Sequence, residues 1–343
     1  MPRFGIYVAV ADPPAGEALV RRVEEACREA EFAEQCGFDF CLAGEHHQHP
    51  DGFIPAPLLL LSAIAARTER LRVGTGVLLL PLHHPFQVAE EGATLDTISN
   101  GRFILGVGAG YQPRDFAPFG VSMKDSGSLF EEGLQIIRSC WTGEEFSVQG
   151  KHFTLPKVRQ HPKPVQTPHP PIWVGAWTEK GVERAARWGD AWLTDPVQHL
   201  AVIRKQQAAY QAFAEQYNKR PCTVLFRDAW VAETRQKALE ESAGILLPMF
   251  RYYWRNKAFV EALDPALQGV AAEADLTFER MIEDRVLLGS PGDCITQITR
   301  WQEEIGGAFL VLRFRQAHAG GQPHERIMSA LGLFGEKVIG HFR

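Results

Sequence analysis

The sequence predicts an α/β fold, a (β/α)8 TIM barrel with insertions after strands 4 and 7. Three observations carry that prediction. Eight short apolar runs alternate with eight helical patterns, the order of parallel strands joined by crossover helices. No Gly- or Ser-rich linker divides the chain, so residues 1–343 are expected to form a single domain. The stretch Leu71–Tyr111 reads strand, helix, strand, with Gly74, Gly76, Gly106, Gly108 and Gly110 near the strand ends. Each of these glycines could serve only a turn or tight packing; together they favour a binding site, because bulky side chains there would fill the crevice.

The elements follow in order. Phe4–Val10 is the first strand, and a polar loop with Asp12-Pro13-Pro14 leads to a helix from about Glu17 to Cys36, closed by Gly37. Phe38–Ala43 is the second strand, and the loop through Pro50-Asp51-Gly52 leads to a helix from Pro55 to about Arg67–Arg70. The third strand begins at Leu71; its helix enters through Pro85 and stops at Asn100-Gly101, before the fourth strand, RFILGVG. A long polar loop, Gln112–Ser128, precedes helix four, Leu129–Cys140.

From about 141 to 170 the pattern lapses into a proline-containing excursion whose alternating residues predict a small hairpin outside the main sheet. Pro171–Gly175 is strand five, Glu179–Trp188 helix five, Ala191–Thr194 strand six, His199–Tyr217 helix six and Thr223–Val231 strand seven. A helical region from Arg235 to Ile305 follows, longer than one crossover needs, with an insertion at about 245–288 and a fresh start at Gly289-Ser290-Pro291, where Ser290 or Asp293 can cap. Phe309–Phe314 is strand eight and Pro323–Ile339 the last helix. A doubly wound dinucleotide fold is the rival, but Gly106-x-Gly108-x-Gly110 lacks the G-x-G-x-x-G spacing and follows the fourth strand instead of the first.

Composition narrows the function. A net charge of -5 and a sequence pI near 6.2 give no electrostatic footprint for nucleic acid. The longest apolar run, Leu58–Ala66, is too short to span a bilayer and no signal segment precedes the first strand, so the expectation is a cytoplasmic protein with no membrane partner. Six scattered cysteines without a C-x-x-C pair suggest neither a zinc site nor a disulfide framework. Glu45-His46-His47-Gln48-His49 concentrates three histidines, but the H-E-x-x-H spacing is absent and no Cys/Asp cluster answers it nearby, so no metal is predicted.

In a barrel the loops after the strands share one rim. Glu45-His46-His47, Thr75-Gly76-Val77, Gly108-Ala109-Gly110 and Gly175-Ala176-Trp177-Thr178 are therefore predicted to converge. The last group opens helix five, whose free N–H groups and dipole favour a phosphate. Thr178 is there either a donor to that phosphate or a plain N-cap.

A resemblance adds to this reading. Asp39 with Glu45-His46-His47, then VGTGVLLLPLHHP (Val73–Pro85), AEEGATLD (Ala89–Asp96), SNGRFILGVGAGY (Ser99–Tyr111), FGV (Phe119–Val121), PPIWVG (Pro170–Gly175) and the late LGSPGD resemble the bacterial luciferase-like flavin-dependent monooxygenase superfamily over nearly the whole chain. The resemblance implies a barrel that binds reduced FMN delivered by a separate NAD(P)H:flavin reductase, often as a homodimer. It implies a two-component monooxygenase that uses O2 to oxidise a small organic substrate through a flavin hydroperoxide. It also implies a non-prolyl cis peptide at Gly76-Val77, a flavin-binding set of Glu45, Gly76, Val77, Gly108, Ala109, Gly110, Gly175, Ala176, Trp177 and Thr178, and His46 as catalytic acid/base. His47 is then a packed or hydrogen-bonded partner.

Two departures stand out. Ala109 replaces an arginine of luciferases, and none stands around Gly127-Ser128, where many relatives carry one. Phosphate binding must then lean on the amides of Trp177–Gly181, on Thr178, and on Lys180 or Arg114. VGAGY also occurs among relatives that bind the 5-deazaflavin coenzyme, so a deazaflavin-dependent hydride-transfer reductase or dehydrogenase is the alternative, with a non-catalytic flavin-binding protein the third. Phe53, Leu79, Tyr111 and the Phe250-Tyr252-Tyr253-Trp254 cluster are candidate substrate walls, and Gln112–Ser128 and Phe250–Phe278 the loops that choose the substrate.

Overall fold

In the computed structural model, which describes residues 1–11, 16–316, 318 and 320–343, the apolar runs pair in parallel and close on themselves. The ring is β1 (Arg3–Tyr7), β2 (Phe40–Ala43), β3 (Arg72–Thr75), continued after a break by β4 (Leu78–Leu79), then β5 (Phe103–Gly108). After a detached antiparallel hairpin, β6 (Phe146–Gln149) with β7 (Thr154–Val158), it resumes with β8 (Ile172–Gly175), β9 (Ala191–Leu193) and β10 (Thr223–Val231). A short β11 (Val286–Gly289) lies off the ring, and β12 (Phe309–Arg313) completes it. Closure comes from Gly5 opposite Val311 on one side of β12 and Phe226 opposite Val311 on the other. Eight parallel strands surrounded by helices form the expected (β/α)8 barrel.

The helices are α1 (Gly16–Gln35), α2 (Pro57–Ala65), α3 (Pro85–Ile98), α4 (Pro113–Phe116), α5 (Ser126–Thr142), α6 (Glu179–Trp188), α7 (Leu200–Gln216), α8 (Arg235–Arg255), α9 (Phe278–Ile282), α10 (Pro291–Ile305) and α11 (His324–Lys337). The Asp12-Pro13-Pro14 loop lies outside the described residues. Proline opens α2, α3 and α10, where its missing N–H has no partner to lose. Ser290 is the N-cap of α10 and accepts from the Asp293 amide, while Asp293 accepts from the Ser290 amide, so both suggested caps act together.

One strand is a correction. The sequence reads Arg235–Ile305 as a helical region with an insertion at about 245–288 and no strand, whereas Val286–Gly289 is β-structure that extends the upper half of β10, with Asp228 opposite Val286 and Val231 opposite Gly289. Four apolar residues before a capping box look like a helix lead-in, and only a partner 58 positions away (Asp228 to Val286) makes them a strand.

Two apolar layers hold the barrel. Phe40, Ile104, Trp173, Leu193, Val224, Phe226 and Val311 pack together in one buried cluster within the ring. Phe40, Trp173 and Phe309 meet there with centroids 5.3–5.9 Å apart, and Gly5 makes room, since a Cβ at that position would stand 2.2 Å from the Phe40 ring. The larger cluster, with Leu61, Val73, Phe103, Ile137, Trp192, Leu246 and Phe334, lies between strands and helices. The loops after α8 are tied in by a buried ion pair, Arg285 to Asp264 at 2.9 Å.

Candidate active site

The strand ends on one rim surround a cavity of about 630 Å³. All eleven residues named from the sequence, Glu45, His46, Gly76, Val77, Gly108, Ala109, Gly110, Gly175, Ala176, Trp177 and Thr178, line it. Tyr7, Asp195, Phe226, Tyr253 and Arg313 line it as well.

Its floor is set by the break between β3 and β4. The peptide Gly76-Val77 is cis, as the resemblance implies. Thr75 bridges the interrupted ladder: its Oγ1 donates to the Gly106 carbonyl at 2.6 Å and accepts from the Gly106 amide at 2.9 Å. The Val77 side chain then occupies the space that side chains at two glycines would need. A Cβ at Gly108 would lie 2.7 Å from Val77 Cγ2, and one at Gly175 would lie 2.8 Å from Val77 Cγ1. These glycines therefore admit a neighbour's side chain, and the sequence argument that they keep a crevice empty is corrected to that extent.

Glu45 organises the histidine side. Its Oε1 accepts from His47 Nε2–H at 2.7 Å and from His83 Nε2–H at 2.8 Å, and its Oε2 accepts from the Leu79 amide at 2.7 Å. Burial alone would raise this carboxyl, but those three hydrogen bonds outweigh it and hold Glu45 at about 2. For the half-buried His83, desolvation acts to lower the imidazole, but the hydrogen bond to the Glu45 anion outweighs it and raises it. His47 also packs its ring on Phe119 and is the hydrogen-bonded partner anticipated for it.

His46 has a partner that the sequence did not disclose. Its Nδ1–H donates to Asp115 Oδ2 at 3.1 Å, and the other Asp115 oxygen accepts the His47 backbone N–H at 2.8 Å. A carboxylate only accepts, so Nδ1 carries the proton and Nε2 is left as the second working nitrogen of a ring that lines the cavity. Asp115 is fully buried on the single turn of α4, inside what reads as a polar loop. The expectation that no Cys/Asp cluster answers the histidines is thereby corrected: Asp115 groups with His46 and His49, and Asp51, whose Oδ2 accepts from His318 Nδ1 at 2.9 Å, groups with His49 and His318. Phe53 packs edge-on against His46 at 5.0 Å, Leu79, Tyr111 and Tyr253 are on the cavity wall, and Phe250 is core.

At the other end α6 begins. Thr178 is its N-cap, accepting from the Gly181 amide at 3.2 Å, and Thr178, Gly181 and Arg184 all line the cavity. Lys180 and Arg114, the cations considered from the sequence, are exposed and are not on its wall. Arg184 takes their place. Its Nε–H donates to Glu131 on α5 at 2.7 Å, and its guanidinium lies over Gly127, where a Cβ would stand 2.4 Å from Nη2. The position that lacks an arginine is thus filled by one reaching across from α6. In the sequence Arg184 looks like an ordinary surface charge on an amphipathic helix, and nothing there marks it out.

Comparison with known proteins fits this geometry. Residues 2–307 match the model of the luciferase-like monooxygenase family. The chain is 31% identical over 319 residues to 4-hydroxyprotoasukamycin monooxygenase of Streptomyces nodosus subsp. asukaensis, covering 89% of this chain and 83% of that protein. It spans 58% of the length of another relative, the uncharacterized protein y4vJ of Sinorhizobium fredii, and 59% of this chain is matched, at 31% identity over 205 residues. Among solved structures, monooxygenase RslO1 from Streptomyces bottropensis superposes with a TM-score of 0.84 at 28% identity, covering 99% of this chain and 100% of that one. The FMN complex of the oxygenating constituent of 3,6-diketocamphane monooxygenase from Pseudomonas putida shares the fold, with a TM-score of 0.81 at 20% identity over 98% of this chain and 97% of that one. With the family match running through every strand of the ring but the last, which begins at Phe309, this chain belongs to the luciferase-like monooxygenases and is an oxidoreductase of that family.

Proposed function

We propose that the protein is the oxygenase component of a two-component monooxygenase that takes reduced FMN from a separate NAD(P)H:flavin reductase and uses O2 to oxidise a small organic substrate. The observation that carries this reading is the polarity of the cavity. One end holds a helix N-terminus with Thr178, Gly181 and Arg184; the other holds His46, backed by a buried carboxylate. A phosphate monoester suits the first end, where free amides, the helix dipole and a guanidinium converge. Between them run Gly108-Ala109-Gly110 and Gly175-Ala176, which offer main-chain edges and little side-chain bulk to a flat ring. The donor set therefore fits FMN.

When bound, reduced FMN supplies the two electrons with which O2 gives one oxygen atom to the substrate and the other to water. The chain's own residues do the rest. Asp115 fixes the His46 tautomer, so that Nε2 accepts a proton as the neutral ring and returns it as the imidazolium. Glu45 ties His47, His83 and the Leu79 amide into one unit and keeps the strand ends in register. Tyr111, Trp177 and Tyr253 give the cavity an apolar wall that limits water. No helix among the described residues is long and apolar enough to cross a membrane, and we take the enzyme to act in the cytoplasm as a homodimer.

Anaerobic titration tests the cofactor directly. Reduced FMN is expected to bind at least tenfold more tightly than the reduced 5-deazaflavin coenzyme; the opposite order would assign hydride transfer without O2. On admitting O2, reoxidation of bound reduced FMN is expected to differ from that of free flavin. Tight binding with no protein-dependent change would leave only a flavin carrier.

A further inference from the structure

One carboxylate on the cavity wall has no role in the reading above. Asp195 follows β9, and its Oδ1 accepts from the Val197 amide at 2.9 Å and weakly from Gln198 Nε2 at 3.5 Å. Its Oδ2 accepts from no described residue, and it is not one of the sealed orphan atoms of the interior, so it opens on the cavity. Three buried guanidinium groups, Arg313, Arg227 and Arg285, share its field, yet none pairs with it directly: Arg285 pairs with Asp264, and Arg227 donates to the Gln198 carbonyl at 2.7 Å. Arg313 is committed to Asp228 through two hydrogen bonds of 2.7 and 3.0 Å and donates also to the Tyr253 hydroxyl at 3.3 Å. Lys257 is on the cavity wall but makes no ion pair with Asp195 among the described residues.

The surroundings are aromatic. Tyr111 and Trp177 meet edge to face at 4.9 Å, and Tyr253 shares the wall. The Asp195 charge raises the hydroxyls of both tyrosines further, after burial has done most of it, which places all three groups in one field. A half-buried carboxylate with no direct ion pair is costly. Here the cost shows as a carboxyl pushed up to about 6 by burial, against the lowering effects of the Val197 amide, Arg313, Gln198 and Arg227. An arriving cation would remove that cost, and aromatic faces add their own attraction for it.

We propose that Asp195 is the recognition group for a protonated or quaternary nitrogen on the organic substrate, with Tyr111, Trp177 and Tyr253 enclosing that nitrogen. The assignment rests on the proposal that flavin takes the Thr178 and Arg184 end and leaves this end to the substrate. It names the substrate class as a small organic amine or ammonium compound. Asp195 is a binding residue in this scheme and takes no part in the oxygen chemistry.

Isothermal titration of the flavin-free and FMN-loaded protein with benzylammonium, benzyl alcohol and benzoate decides the matter. The wild type is expected to bind benzylammonium at least tenfold more tightly than benzyl alcohol, and benzoate most weakly. Asp195→Asn should erase the benzylammonium preference, leave the benzyl alcohol affinity within twofold and leave FMN affinity, read by flavin fluorescence, unchanged. A wild-type preference below twofold, a preference for benzoate, or a preference that survives Asp195→Asn overturns the proposal. Should the variant not fold, the three-ligand order in the wild type still decides. Failure of FMN to bind would instead defeat the flavin reading, and the flavin-free titration would still report on Asp195 alone.

Discussion

Asp115 Oδ2 stands 3.1 Å from His46 Nδ1, while Asp115 Oδ1 holds the His47 backbone N–H at 2.8 Å. One buried carboxylate therefore fixes both the tautomer of the first histidine and the main chain of the second. Asp115→Asn keeps the shape but can present an N–H to Nδ1, which favours the other tautomer and leaves Nε2 protonated. Turnover is expected to fall roughly 10²- to 10⁴-fold, with FMN affinity within about threefold. His46→Ala should cost at least as much, and the double variant little more than His46→Ala alone. Additive losses in steady-state kcat would show that the two residues act separately.

The phosphate end gives a second test. Arg184→Ala is expected to weaken FMN by about 10- to 100-fold and riboflavin by less than twofold, as a charge-assisted contact to phosphate requires. Thr178→Val should shift the same ratio less, since its Oγ1 already serves the Gly181 amide. Gly127→Ala would crowd the Arg184 guanidinium and move its flexible end aside, so it is expected to lower FMN affinity severalfold without lowering the Tm. Equal losses for FMN and riboflavin, measured by fluorescence quenching, would reject the assignment.

Most of the ring was legible in the sequence because parallel strands buried on both faces leave unbroken apolar runs, as in FILGVG and IWVG. The rim residues followed from topology alone, since strand ends of a barrel must meet. What escaped has one cause: the signal lies in a distant partner. Val286–Gly289 is a strand because β10 runs on past the ring. Asp115 looks solvated between Arg114 and a proline-rich turn, yet His46, 69 positions away, buries it. Arg184 looks like a surface charge until Gly127 opens a place for it.

Glu45 makes stability depend on acid. Its carboxyl is held at about 2 in the fold against 4.5 for the free group, so the unfolded chain binds the proton more tightly. This contribution is present in full above pH 4.5 and is lost as pH falls through 2. His83 acts at the opposite side: raised above 6.5, it stabilises below pH 6.5 and loses that effect as pH rises through its folded value. Glu45→Gln is expected to cost roughly 3 kcal/mol at pH 6 in urea unfolding and less than about 1 kcal/mol at pH 2.5. A loss independent of pH would mean that shape, and not charge, is what Glu45 provides.

Gly108 and Val77 offer a test of why the strand ends are bare. If Gly108 exists to admit the Val77 side chain, then Gly108→Ala forces a Cβ to 2.7 Å from Val77 Cγ2, and the protein should lose about 1–3 kcal/mol. Val77→Ala alone removes two partly buried methyl groups and is expected to cost about 1 kcal/mol. Combined, the two should cost less than their sum, because the shorter residue vacates the space that the new Cβ needs. Chemical unfolding of the four proteins without flavin measures that coupling. Were Gly108 bare only so that a ligand can approach, Gly108→Ala would leave the flavin-free stability unchanged and weaken FMN alone, and Val77→Ala would not rescue it.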